Sequence, residues 1–166
     1  DSVRDKDAVA SAVMIAEMAA HAKAQGRTVL QQLEAIHREF GQYQERLISI
    51  TKKGRSGAQE IADMMSALRK NPPKTLAGSP VIITTDYINS TQTDLRTGVT
   101  SSTGLPASNV LQFITDAGDK VSARPSGTEP KIKFYFSARA TTGDSHAETK
   151  AKLEAKINTF IGELNL

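Results

Sequence analysis

The sequence predicts an α+β fold in which an antiparallel sheet carries helices on one face, preceded by two further helices. Three observations point to it. Ile132, Phe134 and Phe136 alternate with Lys131, Lys133 and Tyr135, the period-two pattern of a strand with one apolar face. Residues 110–115 and 120–123 flank the turn-forming run Asp116-Ala117-Gly118-Asp119, which predicts a hairpin. Ser145 and Glu148 form a capping box ahead of Leu153, Ile157, Phe160, Ile161 and Leu164, one amphipathic stripe.

Taken in order, Asp5 or Asp7 caps a first helix whose apolar positions wrap most of its circumference, including Val9, Ala12, Val13, Ile15 and Ala16. Gly26 ends it. Thr28 and Gln31 then make a capping box for a second helix carrying Val29, Leu33, Ile36 and Phe40, closed by Gly41. Two helices cannot cover such faces alone, so their partner is expected to be a sheet upstream of Asp1. A domain boundary is placed near Gly41, giving residues 1–42 as the truncated end of one α/β domain and 43–166 as another. Residues 44–52 read as a strand, and Gly54-Arg55-Ser56-Gly57 leads into a helix with Ile61, Met64, Met65 and Leu68 on one side, stopped by Pro72-Pro73. The β-branched run 81–85 reads as a strand, and the Ser-, Thr- and Gly-rich stretch 89–103 as an excursion or irregular hairpin. The domain thus reads β-α-β-β-β-β-α.

Composition narrows the function classes. The 166 residues are 39% hydrophobic and 23% charged, an ordinary globular balance that can bury a core. Lys and Arg exceed Asp and Glu by 21 to 18, a net charge of +3 that is too mild to indicate nucleic acid. Cysteine is absent, which excludes disulfides, thiolate catalysis and cysteine-ligated metals and is compatible with a cytoplasmic location. The longest apolar stretch, 8–22, is broken by Ser11, Glu17 and His21 and is too short to span a bilayer. His21, His37 and His146 show no ligand spacing, and no nucleophile elbow, zinc motif or dinucleotide fingerprint is present.

One loop carries chemistry. Arg124-Pro125-Ser126-Gly127-Thr128-Glu129-Pro130 offers a guanidinium fork, two hydroxyls and a glycine between two proline stops. Arg matches phosphate oxygens, the hydroxyls donate, and Gly admits an anion close to the backbone. A turn-rich connection is the alternative, but its place between two strands, with Arg before and Lys after, favours an anion. Lys133 points away from the apolar face and can reach the same anion, or stand as a solvated strand lysine. Glu129 can pair with Arg124 or a lysine or simply lie in solvent, and solvent is favoured. Asp5 and Asp7 read as helix caps rather than metal ligands, while Lys6 beside that helix start is a second cationic candidate. The Gly54 to Gly57 turn, with Lys52, Lys53 and Arg55 nearby, is a second candidate anion site, but it lacks a nucleotide-loop ending and a solvent turn is the favoured reading.

The run from Arg124 to Tyr135 resembles the phosphate-binding loop in the last domain of α-D-phosphohexomutases, the phosphoglucomutases and phosphomannomutases. The resemblance extends through Leu105-Pro106-Ala107-Ser108-Asn109-Val110-Leu111-Gln112-Phe113 and to Val3-Arg4-Asp5-Lys6-Asp7-Ala8. It implies a four-domain isomerase, of which this chain holds the end of the third domain and a fourth of TATA-binding-protein-like fold. In such enzymes a phosphoserine donates phosphate to a sugar monophosphate and recovers it from the other sugar oxygen. The last domain grips the phosphate that is not transferred. By resemblance that grip falls on Arg124, Ser126, Gly127 and Thr128, with Lys133 and Lys6 as further contacts. The nucleophile loop, the Mg2+ loop and the sugar-recognition loop are absent here. The chain alone is therefore expected to bind a hexose or pentose phosphate without turning it over, with the N-terminal domains as its partner and neither membrane nor nucleic acid. A nucleic-acid- or generic anion-binding module stands as the alternative; the aromatic content of 5%, mostly on apolar faces, argues against base stacking.

Overall fold

The structure is a computed structural model that describes residues 6–52, 54, 56–140 and 145–166. Arg4, Asp5, Lys53 and Arg55 lie outside the described residues. Four helices and eight strands occur among those described: α1 (Ala8–Ala24), α2 (Val29–Phe40), β1 (Gln42–Thr51), α3 (Gly57–Lys70), β2 (Thr75–Leu76), β3 (Ser79–Asp86), β4 (Thr91–Asp94), β5 (Thr100–Ser102), β6 (Leu111–Thr115), β7 (Lys120–Pro125), β8 (Lys131–Ala140) and α4 (His146–Glu163). Every pairing is antiparallel, in the order β1-β8-β7-β6-β3-β4-β5, with β2 beside β3. The α+β fold read from the sequence is the one observed.

Alternation in β8 sets the layers. Ile132, Phe134, Phe136 and Ala138 are buried, whereas Tyr135 and Arg139 are exposed. The buried face meets α3 through Ile61 and Met65 and α4 through Leu153, Ile157 and Phe160. Phe134, Phe136 and Phe160 form a stacked series with ring centroids 6.5 Å apart at each step. Each such buried aromatic contributes about 3–5 kcal/mol by the cost of its truncation, so this face holds most of the fold's stability. α4 begins with the expected box, in which the Ser145 hydroxyl accepts from the Glu148 amide and Glu148 accepts in return from the Ser145 amide.

The hairpin β6–β7 hides a buried ion. Asp119 follows Gly118 in the turn, yet it is fully buried. Its carboxylate accepts from the Thr115 hydroxyl at 3.1 Å, from the Arg139 amide at 3.0 Å and from Lys156 Nζ at 2.8 Å. Lys156 belongs to α4, so one carboxylate ties the turn, β8 and the final helix together.

Two strand features differ from the sequence reading. Residues 89–103 form a regular hairpin, with Thr91 opposite Ser102 and Thr93 opposite Thr100. At its tip Arg96 bonds to Asp94 and holds that carboxyl down at about 2. The strand β2 was not read at all, being two residues long. It turns into β3 through Ala77 (φ 46) and Gly78 (φ 75), the positive-φ pair of a type I′ turn.

The first two helices pack differently from the rest. Asp7 caps α1 by accepting from the Val9 and Ala10 amides, and Thr28 caps α2 in a box with Gln31. α1 buries only Ala22 and leaves Val9 77%, Val13 61% and Ile15 59% exposed, while α2 leaves Leu30 and Phe40 exposed. Their apolar faces are thus unpartnered among the described residues. α2 runs through Gly41 (φ 95) directly into β1, and His37 stacks on His146 at the start of α4, with ring centroids 5.3 Å apart.

Candidate functional site

The loop 126–130 joins β7 to β8 at the end of the sheet where β1 finishes. Its shape is held internally. The Ser126 amide donates to the Lys131 carbonyl at 2.7 Å, and the Ser126 hydroxyl accepts from the Thr128 and Glu129 amides at 3.4 and 3.3 Å. The Lys52 amide donates to the Pro130 carbonyl at 2.9 Å, fastening the loop to β1. Among the described residues the Gly127 amide has no such partner. A Cβ built on Gly127 would meet no protein atom, and its φ is not in the left-handed region. Folding therefore does not demand glycine there; the room it leaves opens to the outside of the loop.

Register supplies the cations. Arg124 and Lys133 are direct partners across β7 and β8, and Ser49 of β1 is the next partner of Lys133. All three lie on the face away from the helices, since the buried Ala123 and Phe134 and the partly buried Ile48 beside them face the core. Like charges directly opposite in an antiparallel pair destabilise it. Among the described residues neither cation makes an ion pair or a side-chain hydrogen bond that would relieve this. Glu129 is exposed, and it also makes the lysine pairing that the sequence left as the alternative. It pairs with Lys131 at 2.9 Å, and that hydrogen bond, with a lesser field from Lys133, holds its carboxyl below its ordinary range. The strand geometry decides this: Lys131 is the nearer cation and takes the carboxylate, leaving Arg124 and Lys133 without it.

On the helix side of the same loop lies a cleft of about 420 Å³ lined by Gly54, Ala58 and Ala62 around α3, by Asn109, and by Pro125 to Pro130 with Ser126, Gly127 and Thr128 among them. Gly57 builds it. A Cβ at Gly57 would sit 2.3 Å from the Lys52 carbonyl oxygen, so only glycine lets the start of α3 press against the end of β1. Within a run read as a solvent turn, Gly57 is a buried packing joint, while Gly54 and Ser56 are exposed and Gly54 lines the cleft. Gly57→Ala is expected to cost about 1–3 kcal/mol of stability through overpacking, read as a lower urea midpoint.

Of the six residues singled out by sequence, Ser126, Gly127 and Thr128 share the loop, and Arg124 and Lys133 meet beneath it. Lys6 is not brought to them: it is exposed, next to the α1 cap, and does not line the cleft. The helix pair enters the sheet at Gln42, paired with Ala140, at the opposite end of β8 from Lys131. Asn109, which lines the cleft, is not singled out in the sequence, because it comes beside the loop only when the start of β6 is folded beside β7. Among the described residues no three His, Cys, Asp or Glu side chains gather to hold a metal, so the implied Mg2+ finds no donor set among them. No described helix is long and apolar enough to cross a membrane.

No family model matches the chain. Among curated proteins it is similar to phosphoglucomutase from Staphylococcus aureus, 37% identical over 159 residues, covering 96% of this chain and 27% of that protein. It is also similar to phosphoglucomutase from Staphylococcus haemolyticus, 39% identical over 137 residues, covering 82% of this chain and 25% of that protein. The chain therefore spans about a quarter of the length of the curated relatives it matches. Among solved structures, the open form of parafusin, a phosphoglucomutase from Paramecium, aligns with a TM-score of 0.60 over 98% of this chain and 28% of its own, at 19% identity, and shows the shared fold. With its loop, its sheet and this identity over nearly its whole length, the chain belongs to the phosphoglucomutase family.

Proposed function

We propose that this chain is the C-terminal, phosphate-gripping part of a phosphohexomutase and that it binds the non-transferred phosphate of a sugar phosphate during phosphoryl transfer through a phosphoserine. The opposed, unneutralised pair Arg124–Lys133 beneath a loop with an unused Gly127 amide carries this reading. A dianion at the rim of that loop relieves the repulsion between the two cations. It takes charge-assisted bonds from both, and the Ser126 and Thr128 hydroxyls and the Gly127 amide add neutral donors. The first turn of α3, whose amides favour negative charge, lines the cleft on the helix side of that loop, across it from the two cations.

The remaining parts follow from the same reading. Residues 1–42 are the end of the preceding domain, whose own sheet covers the exposed stripes of α1 and α2, and residues 43–166 are the gripping domain. Closure of that domain over the substrate excludes water from the transfer. Lys6 joins the grip only in such a closed, complete enzyme. The nucleophilic serine and the Mg2+ belong to upstream domains, and the enzyme works in the cytoplasm on hexose or pentose phosphates. Base stacking gains no support, because Phe113, Phe134, Phe136 and Phe160 are all buried. The purified chain is expected to bind glucose 6-phosphate and to show no interconversion with glucose 1-phosphate in a coupled assay. Turnover by the chain, free of contaminating enzyme, would contradict this reading.

A further inference from the structure

The sheet face turned away from the helices has a depression of its own. One step along the strands from Arg124 and Lys133, on that same face, Tyr135 pairs with Ser122 on one side and Leu47 on the other. One step further, Ser137 pairs with Lys120 and Glu45. Each step is two residues, about 7 Å of strand. A cavity of about 410 Å³ lies over these two rows and is lined by all six residues. Arg46 and Phe136, whose side chains turn to the helices, border it between the rows. The cavity therefore opens on the face that carries the cation pair and adjoins that pair directly.

The polar groups around this cavity are unspent. Among the described residues Glu45 and Lys120 make no ion pair or side-chain hydrogen bond, and they flank Ser137 with the cavity between them. The Tyr135 and Ser137 hydroxyls have no partner among those residues either. The Ser122 hydroxyl accepts from Gln112 Nε2 at 3.1 Å and keeps its own proton to donate. Groups beyond the cavity are already engaged. In the next row Arg139 stands over the Tyr43 ring, 5.8 Å from its centroid, and across the sheet Gln92 donates to Thr85.

We propose that this cavity seats the body of the sugar phosphate whose phosphate Arg124 and Lys133 hold, with the ring laid on Tyr135 and its hydroxyls bonded to Glu45 and Ser122. A sugar ring has apolar C–H faces and a rim of hydroxyls. Tyr135 beside Leu47, 41% and 51% exposed, offers an apolar surface with a polar tip. The Glu45 carboxylate accepts from hydroxyls, while Ser122 and Lys120 donate to them. A few polar groups set around an apolar floor are the usual make-up of a small-molecule site. Since the two rows adjoin, one molecule of glucose 6-phosphate touches both, whereas free phosphate engages the cation row alone. The chain thereby distinguishes a phosphorylated polyol from phosphate.

This inference rests on the phosphate-grip reading, and one set of titrations separates the two. Binding of glucose 6-phosphate and of inorganic phosphate is measured by calorimetry on the chain and on Glu45→Ala, Tyr135→Ala and Arg124→Ala. Glu45→Ala and Tyr135→Ala are each expected to weaken glucose 6-phosphate about 3–10-fold, the loss of one hydrogen bond or one stacked face, with phosphate affinity unchanged. Glu45 is exposed, so its truncation leaves the fold intact even if that of Tyr135 does not. If Arg124→Ala weakens both ligands while Glu45→Ala leaves their ratio unchanged, the sugar does not sit on this face and the grip stands. If Arg124→Ala weakens neither, the grip itself is wrong and this inference falls with it.

Discussion

Asp119→Ala is expected to remove about 3–5 kcal/mol of stability, the range for breaking a buried ion pair from one side. Three donors lose their acceptor together: Lys156 Nζ, the Arg139 amide and the Thr115 hydroxyl. The Lys156 side chain is only 24% exposed, so water restores little of what it loses. A domain of this size holds about 5–15 kcal/mol in total, and the variant should unfold at a much lower urea midpoint. Asp119→Asn keeps the shape and an acceptor oxygen while losing the charge, so its loss should be smaller. A midpoint for Asp119→Ala within error of the parent would show that the carboxylate does not fasten α4 to the hairpin.

Arg124→Ala is expected to weaken sugar-phosphate binding about 10–100-fold, corresponding to about 1.5–3 kcal/mol for a charge-assisted hydrogen bond. The same substitution removes one of two opposed cations, so the sheet should keep its stability or gain up to about 1 kcal/mol. Loss of affinity without loss of stability marks a residue held for binding rather than for folding. Lys133→Ala should follow the same pattern with a smaller effect, since a single ammonium lacks the planar fork. Affinity by calorimetry and stability by urea unfolding, taken on both variants, check the pattern; equal affinity for parent and Arg124→Ala would remove the guanidinium from the grip.

Much of this arrangement is legible in the sequence because it is local. The alternation Lys131 to Phe136 fixes which face each residue takes, and with it the outward position of Lys133. The capping boxes at Thr28 and Ser145 mark helix starts through contacts only three residues apart. What escaped depends on distant partners. Asp119 has the appearance of an ordinary turn carboxylate, and only Lys156, 37 residues later, makes it a buried anchor. Gly57 reads as a loop glycine until Lys52 is brought against it, and β2 is too short to show a period. The cleft unites α3, the start of β6 and the β7–β8 loop, three segments whose meeting no motif records. Lys6 shows the reverse: its likeness to a substrate contact is a matter of sequence, whereas α2, which follows its helix, joins the sheet at the end away from the loop.

Whether the β7–β8 loop holds phosphate is read most directly from the backbone amides of the 15N-labelled chain during titration with glucose 6-phosphate. Gly127, whose amide is the unused donor, and Thr128 beside it should shift first and saturate together, and Arg124→Ala should suppress both shifts. Shifts that saturate elsewhere on the sheet, or a Gly127 amide that stays in place at saturating ligand, would contradict the phosphate grip.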